Sequence, residues 1–493
     1  MVDADVLARF DGLYARMGEY RRAAIDAAMK EAGWVVDGDS YTYPDTLSTY
    51  TVERPGPDGE GGGHGTWSND LPQTGEIDKT GEFASVRARC DAIWSSWLQN
   101  NVDQATAEKA VNALADAHAV IAAEGTVMNG NSTGTGLIAA EYDDLESLMN
   151  NYDISGGLFD AFRSQFLLRL RPVSDSIAGL LIKVGGAATA ELGLWAEQKC
   201  AAVMLFEDSL AKLKATTTSS NADWSVFFKI TGWAIAGTAA FVSGGPAGVA
   251  LGALGVANTV LADVTKTTVA APAAKYSSIM STVESAKQNL VSAIDTELDA
   301  IIGNCNSVAN IGETGPNTQA RYQIDNPATT NVHEGSLHVT DGSQLAEGIS
   351  FQLSQVQRIW TAILPNVVAN LTNCNAQIAK AEYPRAGFYC LGLPTSNDGT
   401  ALASYDNAIG LLIDLVNLLK QDTGNAAENL QLGVADLNAQ DSSSQAALDA
   451  LQARIRDQQQ HTPWDGVDDH HHQPGDEVHH PPPVWPRHGP QPV

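Results

Sequence analysis

"GWAIAGTAAFVSGGPAGVALGALGVANTV", residues 232–260, is the stretch on which the fold turns, because no ionisable side chain interrupts the chain between Lys229 and Asp263. Of the 33 residues from Ile230 to Ala262, seven are Gly and nine are Ala, and "SGGPAG" splits the run into arms of about 14 and 17 residues. Each arm falls short of the roughly 20 residues that a membrane span needs. The pattern therefore predicts a helical hairpin over 226–263 rather than one straight transmembrane helix. Gly244, Gly245 and Pro246 make its turn. Gly244, Gly248 and Gly252 recur every four residues, a spacing that lets two helix backbones approach closely. Phe227, Phe228, Ile230, Trp233, Ile235, Phe241, Val242, Val249, Leu251, Leu254 and Val256 supply the apolar surface.

Left in water, a surface of this size is an aggregation site. One reading is a hairpin stored in a soluble fold and released into a bilayer; a second is a permanent core element of a non-enzymatic scaffold or interaction protein; a third is a constitutive anchor. Charge weighs against easy insertion. The 493 residues carry 29 Lys and Arg against 58 Asp and Glu, a net charge of -29, which repels nucleic acid and anionic lipid alike. Insertion then calls for a neutral membrane, acid, a receptor or a homo-oligomer.

Outward from the run, residues 157–215 and 272–310 each show apolar side chains spaced by three and four, the mark of long amphipathic helices. In the second the stripe is Tyr276, Ile279, Met280, Val283, Ala286, Leu290, Ile294, Leu298 and Ile301. At 1.5 Å per residue the pair reaches on the order of 50 to 80 Å. Pro172 and the Gly185, Gly186 pair are expected to kink or divide the first helix. The fold class expected is all-α: an elongated antiparallel bundle with a central Gly/Ala-rich hairpin and at most one short β-hairpin.

The remaining organisation follows from where helical periodicity stops and starts. Residues 1–34 read as an amphipathic helix ended by Gly33, and 35–82 as an irregular linker or lid with one short strand at "TLSTYTVE". Residues 83–156 read as helix-turn-helix plus a third helix, 312–342 as an irregular excursion, and 343–460 as further bundle helices kinked at Pro365. The last 33 residues hold seven of the eleven His and eight of the 20 Pro, so 461–493 reads as a disordered tail.

No GxGxxG, GxxxxGK[ST], HExxH or CxxC pattern is present, so neither an enzyme nor a cofactor is expected. The tail's His470, His471, His472, His479 and His480 offer imidazole ligands without a preformed geometry, which makes any metal binding weak and unselective. His118, on a helix amid alanines, reads as a core-edge residue. Of five cysteines, Cys374 and Cys390 alone flank one loop and could bridge in an oxidising compartment. The start, "MVDADVLARFDGLYARMG", has neither a basic n-region nor an apolar h-region, so export would need a machine other than the general secretory one.

Trp97 in "WSSWLQNN", followed by Tyr142 and Glu146 in "YDDLE", is similar to the WXG-type substrates of actinobacterial type VII secretion systems. In that family a Trp in an inter-helix turn packs on a Tyr-x-x-x-Asp/Glu export signal; here Gln99 stands where the family has Gly. The resemblance covers at most residues 83–150 and implies a secreted protein, soluble before any membrane association, with export machinery as a partner. Residues 157–310 resemble in architecture the helical pore-forming toxins of the cytolysin A and haemolysin BL kind. That likeness implies membrane lipid as a partner and homo-oligomers on membranes.

Overall fold

The computed structural model describes residues 4–71, 73–99, 104–123, 127–128, 131–132, 136–151, 154, 157–216, 275–311, 353–382, 398–439 and 451, 453, 454 and 456. The chain is mostly helical. It begins with α1 (Ala4–Leu13) and α2 (Met17–Glu31), joined by a single 3-10 turn over Tyr14–Arg16.

Between α2 and α3 (Thr80–Gln99) the chain builds a five-stranded antiparallel meander, β1 (Val35–Asp37), β2 (Ser40–Pro44), β3 (Ser48–Glu53), β4 (His64–Asn69) and β5 (Thr74–Asp78), in sequence order. This sheet overturns the all-α expectation of at most one short β-hairpin. A further two-stranded ribbon pairs β6 (Val127–Met128) with β7 (Asn131–Ser132). Alternation explains the sheet: the register Tyr41↔Val52, Tyr43↔Tyr50 and Tyr50↔Trp67 puts the large side chains on one face. That face closes a small core of Ile25, Met29, Trp34, Tyr41, Val52 and Phe83 over α2 and α3. Beneath it the buried Asp26 carboxylate accepts hydrogen bonds from Tyr41 Oη (2.7 Å) and Arg54 Nε (2.7 Å). The Gly-rich 56–63 loop is packed rather than free: Gly59 has φ +74°, and a side chain there would meet the Gly18 carbonyl and Arg21 Cβ of α2.

The rest is a helical assembly with one large core. It comprises α4 (Gln104–Ile121), α5 (Ile138–Asn151), α6 (Gly157–Phe162), α7 (Leu168–Ala215), α8 (Tyr276–Ala309), α9 (Leu353–Arg358), α10 (Leu364–Ala379) and α11 (Asp398–Ala439). At 48 residues α7 is about 72 Å long. It packs against α1, α2, α4, α8 and α11. It runs unbroken through Gly185 and Gly186, both buried. The irregularity sits earlier, in a π turn over Arg163–Leu167 ahead of Pro172, and a second π turn over Ile359–Ile363 precedes Pro365. Both prolines lack the N–H that an α ladder needs and press on the preceding turn, and a local change of helical register accommodates them. On α8 the apolar stripe is the buried face, from Ile279 and Met280 through Leu290 and Leu298 to Val308.

Candidate functional site

The two helices that bracket residues 217–274 are fastened to one helix, α2. At the end of α7, Lys214 donates to Glu19; at the start of α8, Ser277 donates through its backbone N (2.8 Å) and Oγ (2.6 Å) to the Glu31 carboxylate. Glu31 thus caps orphan first-turn donors and sits at the positive end of the α8 dipole. Glu19 and Glu31 are 12 residues apart on α2, about 18 Å along its axis. The predicted hairpin itself, from Phe227 to Val256, lies outside the described residues.

The α7 root is held by a buried aromatic cluster. Tyr20 Oη donates to Ser209 Oγ (3.0 Å). Its ring meets Phe206 at 4.9 Å and Trp94 edge-on at 5.6 Å, and Trp94 stacks on Trp97. Burial drives the Tyr20 pKa well above the usual phenol range.

Ahead of that cluster α7 is buried on every face from Val184 to Val203, although Glu191, Glu197, Gln198 and Lys199 stand in it. Among the described residues, Gln198 is wholly buried with no hydrogen-bond partner for Oε1 or Nε2, and none meets Glu197 Oε1 or Trp195 Nε1. Burial pushes the Glu197 carboxyl up to about 7. Lys199 lies 4.0 Å from the Trp195 ring centre, 5.1 Å from that of Phe10, and 4.0 Å from Asp11 Oδ1. Its pKa is lowered by burial and partly restored by Asp11. Each unpaired buried polar group costs about 1–3 kcal/mol. Sequence reasoning passed over this band. Its signal was the contiguous "EQK" at 197–199 in a mostly apolar stretch of helix, where three successive residues cannot all lie on one face.

Of the residues matched to the export signal, Tyr142 and Glu146 are brought together and Trp97 stands apart. Tyr142 is buried on α5, shares a 2.6 Å hydrogen bond with Ser174 Oγ, and lies under the Arg171 guanidinium, 5.8 Å from the ring centre. Arg171 also donates to Glu146 (3.1 Å) and to Asp143. Trp97 instead packs on Trp94, with Lys287 Nζ 5.9 Å from its ring. Among the described residues no ring contact joins Trp97 and Tyr142. Helix α3 packs on α1, α2 and α8, whereas α4 packs on α5, α7 and α10.

His118 is buried, its Nε2 has no hydrogen-bond partner among the described residues, and burial lowers its pKa against the pull of Asp175. Cys374 is a free buried thiol whose Sγ lies 3.5 Å from the Ala117 carbonyl, its pKa pushed by burial to about 12; Cys390 lies outside the described residues. Among the described residues no group of His, Cys, Asp and Glu is arranged to hold a metal ion. The tail's His470, His471, His472, His479 and His480 lie outside them. Two stretches, Gly157–Ala215 and Gly399–Ala435, are long and apolar enough to cross a membrane; the most apolar window is 89% buried in the first and 50% in the second. The first is therefore a core helix of this fold.

Comparison with protein-family models, with curated proteins and with solved structures finds no match to this chain.

Proposed function

We propose that the protein is a secreted, non-enzymatic, membrane-active protein. In this reading it is soluble when released and moves the uncharged 230–262 segment into a neutral bilayer, acting there as a homo-oligomer. The observation that carries the reading is the polar band of α7. The helix that leads into the uncharged segment buries Glu197, Gln198 and Trp195 with polar atoms that find no hydrogen-bond partner among the described residues. That arrangement stores free energy of several kcal/mol, which a rearrangement wetting those groups would recover. Both roots of the segment lie on α2, so one helix governs whether the segment is held. The Tyr142 and Glu146 spacing supports export through a type VII machine.

The test is dye release from phosphatidylcholine vesicles at pH 5 and pH 7. Release that is abolished by Gly248→Pro together with Ile235→Asp supports the reading. No release at either pH removes it and leaves the scaffold interpretation.

A further inference from the structure

We propose that the neighbouring tips of the β2–β3 and β4–β5 hairpins form a docking edge for zwitterionic lipid surfaces, an inference that rests on the membrane-active reading. Leu47 and Leu71 stand on these tips and are 70% and 64% exposed. The β3–β4 register ends at the pair Ser48↔Asn69, so the two leucines project from adjoining turns at one end of the sheet, within about 10 Å given the ordinary strand spacing.

Behind the tips runs a row of amphipathic rings. Tyr43, 38% exposed, meets Tyr50 at 6.1 Å, and Tyr50 meets Trp67 at 6.5 Å. Trp67 lies across Gly75 of β5, where an added Cβ would come within 2.2 Å of Nε1; glycine is what seats the ring. Apolar tips backed by Tyr and Trp match the composition of a membrane–water interface.

Geometry selects lipid over a protein partner. Two side chains protruding from convex turns cannot bury the roughly 800 Å² per partner of a stable protein interface, but each can sink into a soft acyl boundary. Charge selects the headgroup, because Asp45 and Asp70 flank the leucines and anionic lipid would repel them. Position connects the edge to the proposed insertion. Trp34 packs on Tyr43 at 5.4 Å, three residues beyond Glu31, which holds the start of α8. The edge would thus meet the bilayer beside one root of the 217–274 segment.

Flotation of the full-length protein with phosphatidylcholine vesicles tests this against the double variant Leu47→Ser/Leu71→Ser, with an unchanged far-UV circular dichroism spectrum as the folding control. The variant is expected to partition at least about tenfold more weakly, and phosphatidylserine-rich vesicles to bind the wild type less. Equal flotation of variant and wild type overturns the edge even if dye release persists, and release would then keep the membrane-active reading. Flotation lost in the variant, with no dye release by the wild type, keeps the edge and removes that reading. A wild type that does not float overturns the edge outright.

Discussion

Glu197→Gln isolates the cost of an ionised carboxylate inside α7. The side chain is 5% exposed, and burial alone raises its pKa from the ordinary 4.5 to about 7. Below pH 4.5 the folded and unfolded states both hold the proton, so the charge costs nothing. Between pH 4.5 and 7 the unfolded chain has released a proton that the folded chain retains, and stability falls as pH rises. Above 7 the folded state carries the full burden, on the order of 3 kcal/mol. Gln keeps the shape and the unpaired oxygen but cannot ionise. Urea unfolding at pH 4.5 and pH 8 is expected to show Gln and Glu nearly equal at the lower pH, with Gln more stable by about 3 kcal/mol at the higher one. Equal stabilities at pH 8, or a difference that grows as pH falls, would refute the assignment of the cost to this charge. If stored free energy drives insertion, the same variant also releases dye more slowly at pH 8.

His118→Leu should act on the opposite limb: burial lowers the imidazole pKa, so the stability of the neutral form is lost as pH falls below 6.5, and the variant is expected to flatten the acid side of a thermal-melting profile. Arg54→Met leaves the Asp26 carboxylate buried without its guanidinium and held by the Tyr41 hydroxyl, a loss of about 3 kcal/mol that should appear as faster hydrogen exchange across the sheet. For export, Glu146→Ala is cleaner than Tyr142→Ala: Glu146 is partly exposed and its Arg171 bridge contributes about 1 kcal/mol or less, whereas Tyr142 is fully buried and its truncation costs about 3–5 kcal/mol. Wild-type secretion of Glu146→Ala would remove the export-signal assignment.

What the sequence revealed depended on length and purity of pattern. The α8 stripe declares itself through about seven turns of three-and-four spacing, from Tyr276 to Ile301, and α7 likewise. The sheet did not. Its strands are three to six residues long, and they hold Gly65, Gly75, Pro44 and many Ser and Thr, so alternation never accumulates and the turn residues read as linker. A local clue was present in "DGDS", where Gly38 at φ +59° closes the two-residue turn between β1 and β2. The polar band of α7 was hidden for the opposite reason. Its apolar neighbours dominate the periodicity, and what covers "EQK" is settled by tertiary packing, as where Lys199 meets Phe10 and Asp11 of α1.

The two roots of the uncharged segment are unequally held, which decides where opening starts. The Lys214–Glu19 bridge is exposed at both ends and contributes about 1 kcal/mol or less, but behind it Phe206, Leu210 and Leu213 are buried and Tyr20 is bonded to Ser209. Releasing the α7 root therefore dismantles the aromatic cluster. The α8 root rests on the Ser277–Glu31 cap and on Tyr276 packed at the Arg89 guanidinium, before the first fully buried side chain at Met280. Loss of such a cap costs about 1 kcal/mol, far less than opening the cluster. Opening is expected to begin at α8. Native-state hydrogen exchange should show the Ile279 to Val283 amides exchanging before those of Phe206 to Leu213, with Glu31→Gln speeding the first set and leaving the second unchanged. Exchange in the reverse order would place the weak root on α7 and make the aromatic cluster the hinge.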